Sequence, residues 1–230
     1  MGHLGVPRAQ DCLAPDRRLS EQPTVLCLHG FGPLGTGAFE GLRAAGGDEF
    51  RFVAPPFPGW EGTPAATREG YRPTALARWA ESLVDGPFAL VGFSWGGTVG
   101  LRVSRDRLRA LVLVDVGYQT PRDEPTPTWN ELLAHYADNE LGPAEMLAAA
   151  AEGFLLEPAT AALENARDIP VLLLVASVPH VERRVEDLAR FAERLPAAEI
   201  HQIQGAEHNV LGTAPEAALP LVLDFLRRNS

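Results

Sequence analysis

Short apolar runs recur along the chain, each bounded by turn residues. They fall at 24–28, 50–54, 88–92, 110–115 and 171–176, with a weaker run at 199–203. Residues 111–115 read Leu-Val-Leu-Val-Asp and residues 171–175 read Val-Leu-Leu-Leu-Val, apolar at successive positions. A strand of that kind is covered on both faces, as in a parallel sheet. Between the runs the period changes. Residues 71–84 bring Leu76, Trp79, Ala80 and Leu83 onto one helical face, residues 183–195 do the same with Val185, Leu188, Phe191, Ala192 and Leu195, and 215–228 closes the chain with a third amphipathic pattern. Strand–helix alternation over most of the length predicts a mainly parallel, doubly wound α/β sheet of about six to eight strands. Residues 1–22 contain Pro and Arg and are weakly periodic, which predicts a loose arm or a poor edge hairpin.

One interval breaks the rhythm. Residues 118–168 hold no strand pattern, only a Pro-rich entry (Pro121, Pro125, Pro127) and helical stretches. A segment of that length inside a compact sheet predicts a helical cap, inserted after the strand ending at Asp115. The expected organisation is a core of 1–117 and 169–230 with a cap or lid at 118–168. The cap holds ten acids and two arginines, a net of -8 out of the chain's -10. Two readings stay open: a field that repels anionic substrates, or the solvated face of short helices.

Composition removes several classes of function. A net charge of -10 provides no basic face for nucleic acid. All 20 basic residues are arginine, so Schiff-base chemistry, pyridoxal phosphate anchoring and a P-loop lysine are excluded. Cys12 and Cys27 are too few for a disulfide framework or a metal site, and no His/Cys/Asp/Glu cluster has metal-ligand spacing. No apolar run reaches membrane-spanning length and residues 1–22 lack a signal-peptide core, so the expectation is a cytoplasmic protein without membrane or nucleic-acid partners. The stretch Gly30-Phe-Gly-Pro-Leu-Gly35 satisfies a dinucleotide fingerprint. However, Pro33 removes an amide where amides should meet a pyrophosphate, and no acidic residue ends the next strand at Ala54-Pro55-Pro56. No cofactor is implied.

Residues 88–101 carry the chemistry. They run from an apolar strand through Gly92-Phe93-Ser94-Trp95-Gly96 into a helix. A sharp strand–turn–helix of this spacing holds a serine in a strained conformation with its Oγ exposed, and small flanking residues let strand and helix approach. The Trp95 N–H then faces a developing oxyanion.

With these residues the chain resembles the α/β-hydrolase superfamily over nearly its whole length. His29-Gly30 after the first strand is similar to the family's oxyanion loop, which implies the Phe31 N–H as second donor and a structural His29. Pro56-Phe57-Pro58-Gly59-Trp60 is similar to the loop after the next strand. Gly205-Ala206-Glu207-His208 resembles the late histidine loop, which makes His208 the general base for Ser94. His3, His135 and His201 fit that role worse, lying in the arm, the cap and a strand.

The chain departs from the family pattern at the acid, usually found just after the strand at 171–176. Here that stretch reads Ser177-Val178-Pro179-His180. The resemblance offers Asp115, at the end of the preceding strand, in the family order Ser94, Asp115, His208. Glu182 or no acid at all stay open, and Glu207 stands too close to His208 in sequence to orient it. The expected activity is hydrolysis of an ester, thioester or activated C–C bond through an acyl-enzyme on Ser94. The substrate is expected to be small, neutral and largely apolar, possibly a carrier-bound thioester. His29, Gly30, Trp60, Trp129 and His180 are candidate pocket residues. Without an acid, a cyclase, a lyase or an inactive small-molecule binder remains the alternative.

Overall fold

The computed structural model describes residues 22–117, 144–178 and 185–230. The expected N-terminal arm lies outside them, as do Trp129, His135, His180 and Glu182. Six strands form one sheet: β1 (Thr24–Leu28), β2 (Arg51–Val53), β3 (Phe88–Phe93), β4 (Leu108–Val114), β5 (Val171–Ala176) and β6 (Glu199–Ile203). Their order is β2-β1-β3-β4-β5-β6 and every neighbouring pair is parallel. The four central strands are buried almost throughout, whereas the edge strands β2 and β6 are half-exposed. That difference explains why β6 reads weakly in sequence.

The successive apolar positions divide between two cores by the two-residue period of a strand. Leu26, Leu28, Leu90, Leu111, Leu113, Leu173 and Val175 face one side. Val25, Cys27, Ala89, Val91, Val112, Val114, Leu172 and Leu174 face the other. Each fully buried aliphatic side chain contributes about 1.5–3 kcal/mol relative to exposure, so the strands are held by both layers at once. Burial also pushes the Cys27 thiol far above its ordinary pKa, which keeps it protonated and inert.

The described helices are α1 (Glu40–Gly46), α2 (Pro73–Glu81), α3 (Trp95–Gly100), α4 (Ala144–Leu156), α5 (Val185–Arg194), α6 (Val210–Thr213) and α7 (Pro215–Asn229). Leu76, Ala77 and Ala80 of α2, Val99 of α3 and Phe191 of α5 cover the first face. Leu42 of α1, Val210 and Leu211 of α6, and Val222, Phe225 and Leu226 of α7 cover the second. One helical expectation is corrected here. Leu83 lies beyond the end of α2 and is exposed, because the helix stops at Glu81. The short helix α1 has no periodic signature, since only Leu42 and Gly46 of its residues are buried.

Between β4 and β5, α4 is followed by a 3₁₀ segment (Ala159–Ala166). Met146, Leu147 and Phe154 of α4 join the same core as Phe57, Trp60 and Tyr71. Arg102 fastens the junction, donating to the carbonyls of Thr98, Glu157 and Pro158 at 2.7–2.8 Å. The Glu157 carboxylate in turn accepts from the Thr74 N–H and hydroxyl at 2.8 and 2.6 Å. Burial lowers the Arg102 pKa and the Glu157 charge partly offsets it. Several acids of this segment are paired with arginines: Glu152 with Arg68, Glu164 with Arg167 and Arg194, and Asp168 with Arg105. The negative field read from its composition is thus partly neutralised within the described residues.

Among the described residues no single helix is long and apolar enough to cross a membrane.

Candidate active site

The chain enters the sheet at β1, moves outward to β2, then returns past β1 to β3 and onward. The strand order therefore reverses between β1 and β3, and loops leaving their carboxyl ends diverge to leave a crevice. His29-Gly30-Phe31 leaves β1, Pro56–Trp60 follows β2, Ser94 follows β3, Asp115 follows β4, and Gly205–His208 follows β6. Residues far apart in sequence meet here because parallel strands align all their carboxyl ends.

Ser94 has φ 52° and ψ −117°, a region sparsely populated by non-glycine residues, at a cost of about 1–3 kcal/mol. Its backbone is fastened on both sides. The Ser94 N–H donates to the Val114 carbonyl at 2.9 Å, and its carbonyl accepts from the Gly97 and Thr98 amides at 3.0 and 3.3 Å. The glycines make the turn possible by contact. A Cβ on Gly92 would lie 2.5 Å from the Gly97 Cα, and one on Gly96 would fall onto the Leu28 carbonyl. Trp95 opens α3, so its N–H belongs to the first-turn amides without an intrahelical acceptor.

His208 lies 3.0 Å from the Ser94 Oγ through Nε2 and 2.5 Å from the Asp115 Oδ2 through Nδ1. An ionised carboxylate only accepts, so Nδ1 carries the proton and Nε2 is left to accept the serine O–H. Asp115 is 1% exposed and has φ 50°. Its N–H donates to the Leu174 carbonyl at 2.7 Å, and its Oδ1 accepts from the Ala176 N–H at 2.9 Å. The neighbouring strand β5 thus fixes the residue twice, once through its backbone N–H and once through its carboxylate. Glu207 is exposed, and its N–H donates to the Thr213 hydroxyl. Of the acids open in sequence that lie among the described residues, Asp115 is the one the structure brings to His208.

His29 is fully buried. Its Nδ1–H donates to the Gly30 carbonyl at 2.8 Å and its Nε2 accepts from the Phe57 N–H at 2.9 Å. Burial lowers its pKa, holding the ring neutral. The Gly30 carbonyl and the Phe31 N–H belong to one trans peptide and point oppositely, so His29 also sets the direction of the Phe31 amide. That peptide sits against the Ser94 turn: a Cβ on Gly30 would lie 2.9 Å from the Ser94 Cβ. Glu61 braces the same loop, accepting from the Thr36 N–H and hydroxyl at 2.6 and 3.0 Å. Glu61 has no sequence signal, because its role depends on a loop 25 residues away.

Phe31, Phe57, Trp60 and Trp95 form an aromatic cluster around this peptide, with ring centroids 4.6–5.8 Å apart. The structure therefore brings Ser94, His208, Asp115, His29, Gly30, Phe31, Trp60 and Trp95 together. His201 lies on β6. Among the described residues no group of three or more His, Cys, Asp or Glu could hold a metal ion.

Solved structures share the architecture. The chain is similar to the thermophilic esterase from Thermogutta terrifontis, at 25% identity and TM-score 0.71 over 90% of each chain. It is similar to NosK from Streptomyces actuosus, at 23% identity and TM-score 0.70 over 90% of this chain and 99% of that one. A third is the enol-lactonase from Burkholderia xenovorans LB400, at 17% identity and TM-score 0.73 over 90% and 92%. No curated protein matches the sequence significantly. The family model described as the Alpha/beta hydrolase family matches residues 25–219, and the chain belongs to that family.

Proposed function

We propose that the protein is a serine hydrolase that cleaves an ester, thioester or activated C–C bond through an acyl-enzyme on Ser94. One observation carries the reading: the hydrogen-bonded row Ser94 Oγ, His208 Nε2, His208 Nδ1, Asp115 Oδ2 at 3.0 and 2.5 Å. In it Ser94 is the nucleophile, His208 the base and Asp115 the acid that holds the imidazole tautomer and stabilises the imidazolium. The Ser94 Oγ attacks the acyl carbon as its proton passes to His208 Nε2. The oxyanion accepts from the Phe31 and Trp95 amides. Collapse breaks the bond to the leaving group, which takes the proton from Nε2. Water then adds to the acyl carbon, gives a proton to Nε2, and the Oγ–C bond breaks with return of that proton to Ser94. Ester and water become acid and alcohol.

The substrate is small, neutral and largely apolar. The aromatic cluster of Phe31, Phe57, Trp60 and Trp95 beside Ser94 supports this more than the acidic segment does, since part of that charge is paired. Segment 118–168 is the cap, with α4 seated on the loop after β2. There a Cβ on Gly59 would collide with the Met146 sulfur. Trp129 of the cap and His180, which follows the strand at 171–176, both outside the described residues, are further candidate pocket residues.

Intact-protein mass after exposure to a fluorophosphonate tests the reading. One adduct on wild type and none on Ser94→Ala is the expected outcome. An unlabelled wild type would sink it and return the site to cyclase, lyase or binding roles.

A further inference from the structure

Polar ring atoms in the aromatic cluster beside Ser94 are mostly matched. His29 uses both nitrogens, and the Tyr71 hydroxyl accepts from the Ala66 N–H at 3.1 Å. Two are not. The indole Nε1 atoms of Trp60 and Trp95 are buried and, among the described residues, have no hydrogen-bond partner. The two residues are 4% and 1% exposed, so bulk water does not serve them. They lie together, with ring centroids 5.5 Å apart and Phe31 at 5.8 and 4.8 Å from them. Trp95 is bonded to Ser94 itself, and Phe31 follows the glycine that abuts it.

A buried N–H without an acceptor costs roughly what a lost hydrogen bond costs, and nearly all such donors find a partner. Phenylalanine would fill most of the same space with no orphan donor. Two orphans in one cluster, against the reacting serine, are the arrangement of a site whose acceptor arrives with its ligand. We infer that Trp60 and Trp95 are specificity-determining residues that receive a hydrogen-bond acceptor oxygen of the substrate, an ether or ketone oxygen within a few bonds of the scissile carbonyl. The substrate is then largely apolar but not a plain alkyl ester. This rests on Ser94 as the nucleophile. A site built to bond an oxygen rejects the analogue lacking it, because its donors are then left unpaired.

The test uses alkyl hexanoates in which an ether or ketone oxygen replaces one methylene at successive positions of the acyl or alcohol chain. Acid release gives kcat/KM, normalised to the hydroxide-catalysed rate of each ester. At one position wild type should prefer the oxygenated ester over its all-carbon counterpart by about tenfold. In Trp60→Phe and Trp95→Phe that ratio should fall toward one, whatever either substitution does to the absolute rate. Equal rates at every position in wild type, or variants that keep the preference, would overturn the inference and assign the donors to a resident water. A second readout needs neither turnover nor the variants' full stability. In ¹⁵N-tryptophan-labelled Ser94→Ala, the oxygenated ester should move two indole N–H resonances downfield and the all-carbon ester should not. Absence of that difference counts against the inference even if no ester is cleaved. Failed fluorophosphonate labelling counts only against the hydrolase reading.

Discussion

On the proposed mechanism, Asp115→Asn separates the orienting role of the acid from its packing. Asn is isosteric, and its Oδ1 can still accept from the Ala176 N–H, so the bond at 2.9 Å to β5 survives. The other branch becomes an NH₂ group facing His208 Nδ1 across the present 2.5 Å contact. Two donors cannot share that contact, so the imidazole must shift its proton to Nε2. Nε2 then points an N–H at the Ser94 Oγ, 3.0 Å away, and cannot accept the serine proton. Loss of the tautomer and of imidazolium stabilisation lowers kcat by about 10³–10⁴-fold. Folding should suffer far less, about 1 kcal/mol for a charged acceptor replaced by a neutral one. The assay is the rate of fluorophosphonate adduct formation, with p-nitrophenyl ester hydrolysis beside it and urea midpoints as the control. A rate within tenfold of wild type would refute the tautomer argument. So would a urea midpoint that collapses along with the rate, since the carboxylate would then be holding the fold.

Gly92→Ala should unseat the elbow, because its Cβ would lie 2.5 Å from the Gly97 Cα and 2.8 Å from the Gly96 carbonyl, both backbone; a loss of about 3 kcal/mol or more in urea denaturation, with labelling of Ser94 abolished, is expected. Arg102→Met should cost about 3 kcal/mol, because the side chain is 7% exposed and three carbonyls and Glu157 lose a charged donor; an unchanged urea midpoint would show that the α4 junction is held elsewhere. His29 gives an acid-dependent stability. Its folded pKa lies below the ordinary 6.5, so the unfolded chain binds the extra proton first and stability falls as pH drops below 6.5, levelling off beneath the folded value. The contribution is at most about 1.4 kcal/mol per pH unit, and His29→Gln should flatten the urea midpoint between pH 7 and 5 relative to wild type; parallel curves would assign the loss to other groups.

Much of this molecule is determined locally and so could be read from the chain. A strand buried on both faces needs apolar residues at every position, and 111–114 and 171–175 supply them whatever surrounds them. The elbow is equally local: only glycines at 92 and 96 allow the turn that puts Ser94 at φ 52°. The approach of His208 to Ser94 was legible from its place after the last strand. Helix α1 was not, because two buried positions in seven residues make no period. The acid could not be settled from sequence either. Which carboxylate reaches His208 depends on the register of β4 against β5 and on a positive φ at Asp115, both products of the assembled sheet. Glu61 bracing Thr36, Arg102 joining Glu157 to α3, and two indoles left without acceptors among the described residues depend on through-space partners 25 or more residues away, or on their absence. Composition and period decide which residues are buried and in what element. Only the closed tertiary structure decides which polar groups meet, because a hydrogen bond is set by atoms a few ångströms apart and not by their separation along the chain.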